Sequence, residues 1–227
     1  MLQKKDFIEI EFTGRVKDGE IFDSNIKEDL QKLHVGHDHP IEAEPFIYCL
    51  GHDMFLQAID DFLIGKPETP ASYEIELPQE KAFGKRDAKM IQKIPVKIFR
   101  DQNVNPVPGH AFNFDGRIGR VLASSGGRVI VDFNNPIAGK DVVYKIKLVK
   151  KITDLHEKAK ALVHFLFRED LKFEIKEKKI IFEVGKPLVE FVKLFKDKFK
   201  EMLDLDLEVK ESGKKEKKED ISAKKEQ

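Results

Sequence analysis

The chain has 227 residues, 36% of them charged, and its 41 lysines and arginines balance 41 aspartates and glutamates. A net charge of zero gives no general pull toward nucleic acid or acidic membranes, and no apolar run approaches the ~18 residues that span a bilayer. The one cysteine, Cys49, excludes an internal disulfide framework and fits a reducing compartment. It lies among Ile47, Tyr48 and Leu50, where an inert buried thiol is expected rather than a nucleophile.

The opening residues, MLQKKDFIEIEF, alternate apolar and charged side chains instead of forming the apolar core of a signal peptide, so a cytoplasmic location is expected. Ile8, Ile10 and Phe12 alternate with Glu9 and Glu11, which predicts a half-buried strand, and Asp18-Gly19 between Val16 and Ile21 predicts a hairpin. Phe22-Asp23-Ser24 ends the second strand. Residues 25–44 read as a polar, irregular connection. It holds His34, His37 and His39, whose spacing suits zinc or nickel. A solvated loop is the first reading of these histidines, and no metal or other cofactor is assigned.

From Pro45 to Lys66 the chain reads as an extended apolar start, a turn at Gly51 and a short helix. Phe55, Ile59, Phe62 and Leu63 recur there at helical spacing, with Asp60 and Asp61 directed elsewhere. Ala71 to Leu77 alternates again. One short helix across a strand-rich sheet predicts an α+β architecture, an antiparallel half-barrel wrapped on that helix. Residues 87–133 read as a small all-β insert with turns at Asp115-Gly116 and Ser124–Gly127. Its glycines are explained by turns rather than by a phosphate loop. Val142 to Ile152 returns as a strand to the first sheet.

After Thr153 the period becomes helical, with Thr153 or Asp154 as cap. Phe173–Val184 reads as a hairpin around Glu177-Lys178. Gly185-Lys186-Pro187 opens a helix with Leu188, Val192, Phe195, Phe199 and Met202 on one side. Leu205–Val209 is a last strand, which completes a small α-β-β-α-β domain. Residues 211–227, almost without apolar content, read as a disordered tail.

Phe12-Thr13-Gly14, Asp18-Gly19, Phe22-Asp23-Ser24, Pro45-Phe46, Gly51, Ala82-Phe83-Gly84 and Tyr144 fall in the order of the FKBP-type peptidyl-prolyl cis-trans isomerases, which this chain resembles. The run Asp132–Lys140, DFNNPIAGK, is similar to a segment of the SlyD type, where a β domain is inserted in the flap. The C-terminal segment resembles that of the long archaeal FKBPs. The resemblance implies an isomerase domain over 1–86 and 134–152, an insert-in-flap domain over 87–133, a C-terminal α/β domain over 153–210 and a charged tail over 211–227.

By the same resemblance, Phe22, Asp23, Phe46, Phe83 and Tyr144 are the catalytic candidates, and Phe12, Phe55, Leu56 and Ile59 the substrate-binding ones. Phe12 and Phe83 stand where the family has tyrosines, Ile59 replaces an aromatic floor, and Tyr144 stands where phenylalanine is common. The implied partners are unfolded or partly folded polypeptides with X-Pro bonds, with no nucleic acid and no membrane. Chaperone activity is expected from the insert. The alternative is a non-catalytic holdase or assembly module on the same scaffold. The phenylalanine-rich C-terminal domain, small for an independent core, is expected to bury against a second copy in a homodimer, the alternative being docking on its own chain.

Overall fold

The computed structural model describes residues 1–33 and 43–212, so His34, His37, His39 and the tail from 213 lie outside the described residues. The chain is mixed α/β with mainly antiparallel sheets. It divides into two units, one of Met1–Ile10, Pro45–Ala71 and Leu148–Gln227, the other of Glu11–Glu44 and Ser72–Lys147.

In the Glu11–Lys147 unit, β1 (Phe7–Val16) pairs antiparallel with β2 (Ile21–Ser24), Thr13 opposite Ser24 and Gly14 opposite Asp23. Asp18 takes the left-handed conformation (φ 55°) that the intervening turn requires. The strand order is β2-β1-β9-β4, with β4 at Ala71–Leu77 and β9 at Val142–Ile152. The alternation read from the sequence is seen in β9, where Val142, Tyr144, Ile146 and Leu148 are buried.

The connection expected to be irregular contains a helix, α1 (Lys27–Leu33). No apolar stripe forms it, because none of its residues is buried. Ser24 Oγ accepts from the Ile26 N–H at 3.0 Å, and Asp29 accepts from Thr13 Oγ1 at 2.6 Å and from Lys32 at 2.7 Å. Glu28 and Asp29 in the first turn and Lys32 in the last also suit the helix dipole.

The segment read as an all-β insert is a four-stranded antiparallel sheet of order β5-β8-β7-β6, with β5 Ile91–Pro95, β6 Ala111–Phe114, β7 Arg117–Ser125 and β8 Arg128–Asp132. It is not all-β, because α3 (Val96–Asp101) follows Pro95 and carries Phe99 into the core. Phe99 packs with Val121, Val129 and Val131, and with Phe112, Phe114 and Phe133 around them. Both hairpin turns use paired left-handed residues, Asp115-Gly116 and Gly126-Gly127. The two chain crossings into this sheet are clasped together. Arg86 pairs with Asp132, the Asp87 N–H donates to Asn134 Oδ1 at 2.8 Å, and Asn134 Nδ2 donates to the Asp87 carbonyl at 3.0 Å.

In the other unit, the start of β1 pairs antiparallel with β3 (Phe46–Cys49), Phe7 opposite Cys49 and Ile10 opposite Phe46. The Gly51 turn and α2 (Gln57–Leu63) follow, Ile59 and Leu63 being fully buried. Helix α4 (Leu155–Phe167) begins at Asp154, which caps it by accepting from the Glu157 N–H at 2.7 Å, and it packs on β3. β10 (Phe173–Lys176) and β11 (Lys179–Val184) form the expected hairpin, and β12 (Asp206–Glu211) pairs parallel to β11. The expected single helix is two, α5 (Lys186–Lys193) and α6 (Lys196–Leu203). The break at Leu194-Phe195 turns Phe199 and Met202 inward and leaves Leu194 77% exposed. The C-terminal segment docks on its own chain within this unit through α4 on β3, the Lys158 ammonium 6.0 Å from the Phe7 ring centre, and Glu201 3.7 Å from His52.

Candidate active site

In the Glu11–Lys147 unit four of the expected rings meet. Phe22 stands edge-on to Phe83 (5.4 Å, 89°) and to Tyr144 (5.8 Å, 82°), and Phe12 lies 6.2 Å from Tyr144. Phe12 and Tyr144 are buried, whereas Phe22 and Phe83 are half-buried and keep ring surface open. The layer closes over Gly14 on β1. A Cβ there would come within 2.9 Å of both the Phe22 and Tyr144 rings. Gly14 thus serves close ring approach, which is a packing requirement and not a backbone one.

Asp23 lies opposite Gly14 in the β1–β2 pair. By area it is exposed, yet the surrounding side chains desolvate its carboxyl enough to raise its pKa, against the opposing hydrogen bond from the Ser24 backbone. Burial holds the Tyr144 hydroxyl protonated well above the ordinary range, and the Asp23 charge adds to this. The group is therefore an apolar ring wall with one carboxylate and one neutral phenol. It contains no nucleophile paired with a base.

In the other unit Phe46 stacks on Tyr48 (5.2 Å, 16°), and both rings tilt against Phe55 at 5.3 and 5.6 Å. Leu56 is the extended N-cap of α2, so Phe55 and Leu56 precede the helix that the apolar spacing began with. Ile59 is buried without exposure. The structure thus brings the nine candidates together in two groups: Phe12, Phe22, Asp23, Phe83 and Tyr144, and Phe46, Phe55, Leu56 and Ile59.

Two residues of the second group escaped the sequence reading. Tyr48 is fully buried between the rings, and its signal was its place two residues after Phe46 on the same strand face. Asp60 was expected to point away from the helix's apolar face, but it is 1% exposed and its Oδ2 accepts from the Gly51 N–H at 2.8 Å. It lies three residues before Leu63, on the edge of the apolar face, and the turn amide draws it inward. Asp61 is exposed, as expected.

Residues 92–137 match the family described as FKBP26, IF domain. A short-type peptidyl-prolyl cis-trans isomerase of Methanocaldococcus jannaschii is 26% identical over 148 residues, 65% of this chain and 92% of that protein. The chain is a homologue of the FKBP-type peptidyl-prolyl isomerases. The FKBP-type isomerase SlyD of Pasteurella multocida is 27% identical over 111 residues, 47% of this chain and 54% of that one, and the SlyD of Yersinia pestis is 25% identical over 114. The chain spans about half the length of these SlyD relatives. Among solved structures, the three FKBP domains of wheat FKBP73 align at 18% identity with a TM-score of 0.31, over 68% of this chain and 42% of that one.

Proposed function

We propose that this protein is a peptidyl-prolyl cis-trans isomerase of the FKBP half-barrel type, acting on X-Pro bonds in unfolded or partly folded chains. The observation that carries the reading is the ring wall of Phe12, Phe22, Phe83 and Tyr144 closed over Gly14, in a chain homologous to proteins named as such isomerases. Turning an X-Pro bond breaks amide resonance against a barrier of ~18–20 kcal/mol, and uncatalysed exchange takes tens to hundreds of seconds. The planar amide is more polar than the twisted one. A desolvated ring wall therefore disfavours the ground state relative to the transition state. No proton need move. Asp23 holds a polar group of the bound chain or faces the twisted carbonyl.

The insert is assigned a second activity, capture of extended apolar clients. Ile118 and Leu122 alternate on β7 and are 69% and 42% exposed, and β6 is an edge strand able to accept another chain. Capture beside the ring wall raises the local concentration of client prolines. The C-terminal segment is assigned to a homodimer because Phe191 of α5 and Leu194 at the break after it are 46% and 77% exposed. A monomeric mass for the full chain would remove that assignment.

The test is a protease-free assay of proline-limited refolding with the full chain. Wild type accelerates refolding in proportion to its concentration, and D23A/F46A loses that acceleration while still suppressing client aggregation. A wild-type rate equal to buffer, with aggregation still suppressed, would support instead a holdase on the same scaffold.

A further inference from the structure

The turn after β3 is held from two sides within its own unit. From α2, the Asp60 carboxylate accepts the Gly51 N–H at 2.8 Å. From α6, Glu201 Oε1 lies 3.7 Å from His52 Nδ1, and His52 is itself buried. Gly51 is left-handed (φ 75°), a conformation glycine adopts without strain, and a Cβ there would stand 2.8 Å from the Lys4 side chain. The same turn carries Phe55 and Leu56. Behind it, the Tyr48 hydroxyl and Asp60 Oδ1 are both buried without a partner of hydrogen-bonding geometry. The two groups still lie close enough to shift each other's ionisation, Tyr48 drawing the Asp60 carboxyl down and Asp60 pushing the Tyr48 hydroxyl up.

We infer that Asp60 is a positioning residue for the isomerase: its ionised carboxylate fixes the Gly51 amide, and with it the Phe55-Leu56 segment and the Phe46–Tyr48–Phe55 ring stack, so that activity follows the charge on this one buried group. The inference rests on the isomerase reading and names the residue that sets the shape of its second ring group.

Three observations support it. A charge-assisted hydrogen bond to an amide is roughly twice as strong as a neutral one, so protonation of Asp60 loosens the turn without breaking the chain of contacts. Burial raises the Asp60 carboxyl to about 6, so the change falls in an accessible pH range. The groups that bear on it are few: Tyr48 and Cys49 from β3, Asp53 from the turn and Asp61 from α2 itself. Tyr48 and Cys49 are both raised by burial and stay neutral over this range. The neighbouring His52 faces Glu201, and burial lowers its pKa, so its own charging lies further to the acid side than an ordinary histidine's.

The experiment uses full-length wild type, D60A and D60N, read by proline-limited refolding from pH 5 to 7.5 and by hydrogen exchange of the Gly51 amide. D60A, which lacks the acceptor, should lose about tenfold in kcat/KM at pH 7.5 and exchange Gly51 at least tenfold faster. Wild-type activity should fall severalfold between pH 7 and 5 with an inflection near 6. D60N keeps an acceptor without the charge, and its profile should be flat at the acid-limb level of wild type. A D60N profile with the wild-type inflection, or a Gly51 exchange rate in D60A equal to wild type, overturns the inference whatever the activity. A wild type that does not isomerise proline overturns the isomerase reading instead, and Gly51 exchange still reports whether Asp60 holds the turn.

Discussion

Replacing Gly14 by alanine tests whether the first ring group is a fixed wall or a loose set of side chains. The added Cβ would stand 2.9 Å from Phe22 Cζ, 2.9 Å from Tyr144 Cε1 and 3.0 Å from Tyr144 Cζ. Both neighbours are rings, Tyr144 enclosed and Phe22 half-buried. Tyr144 is 1% exposed beneath Phe12, and Phe22 is held edge-on by Phe83 and Tyr144. Overpacking of this kind costs about 1–3 kcal/mol. Against it, alanine restricts the unfolded chain and returns ~0.4–1 kcal/mol where the native backbone suits it, as it does at Gly14, which has no positive φ.

The net expectation is a loss of about 1–2 kcal/mol in urea unfolding at constant m-value. A fall of about tenfold in proline-isomerisation kcat/KM should accompany it, because the rings proposed to face substrate are the ones displaced. Trimming the ring in G14A/F22L should recover stability relative to the sum of the single changes by at least ~0.5 kcal/mol, the mark of direct contact. G14A with a wild-type unfolding midpoint and wild-type activity would show that Phe22 and Tyr144 yield at no cost, and the wall would not be the fixed element that the mechanism uses.

Other expectations concern the buried polar pair. Asp60 is raised from 3.8 to about 6, so in that window the native state binds more protons than the unfolded chain and stability falls as pH rises. Each tenfold change in proton affinity is worth about 1.36 kcal/mol. The cost therefore approaches about 3 kcal/mol above pH 7, and roughly half of it accrues between pH 5 and 7.5. The stability advantage of D60N over wild type should accordingly widen by about 1.5 kcal/mol from pH 5 to pH 7.5. A gap constant with pH in urea titrations would mean that Asp60 is not the buried titrating group. Y48F should be neutral or stabilising by up to about 1 kcal/mol, since the hydroxyl it removes is buried without a bonding partner. A loss of ~1 kcal/mol or more in the same titrations would instead reveal a working Tyr48–Asp60 hydrogen bond.

What could be read from the sequence depended on whether burial alone shaped the element. β9 and the β10–β11 hairpin were legible because alternation is imposed by one buried face, and Asp154 was legible as a cap because its role is local. α1 was not, since it buries nothing and is held by Thr13 and Ser24 from strands β1 and β2. α3 is six residues after a proline with a single buried ring, too short for a period to show. The α5–α6 break was hidden for a different reason. Leu188, Val192, Phe195 and Phe199 keep helical spacing across it, and tertiary packing rather than propensity bends the chain there.

The site divides in the same way, and the division explains why the first ring group was named in full and the second was not. Phe12, Phe22, Asp23, Phe83 and Tyr144 were named through the order of their motifs, since Phe12, Phe22 and Tyr144 read on their strands as core residues do and Phe83 lies in a turn. What the sequence could not carry is the spatial fact that makes them a wall, the ring closure over Gly14. Asp60 shows the opposite case, a residue hidden because its apparent pattern was right for its neighbours. A carboxylate beside Ile59 and before Leu63 looks like solvent surface until the Gly51 amide is found pointing at it. Holding that carboxylate ionised inside the protein costs stability, and a hydrophobic core alone gives no reason to accept such a cost. A turn that must present Phe55 and Leu56 in one geometry does give a reason, because the charge strengthens the single bond that fixes the turn.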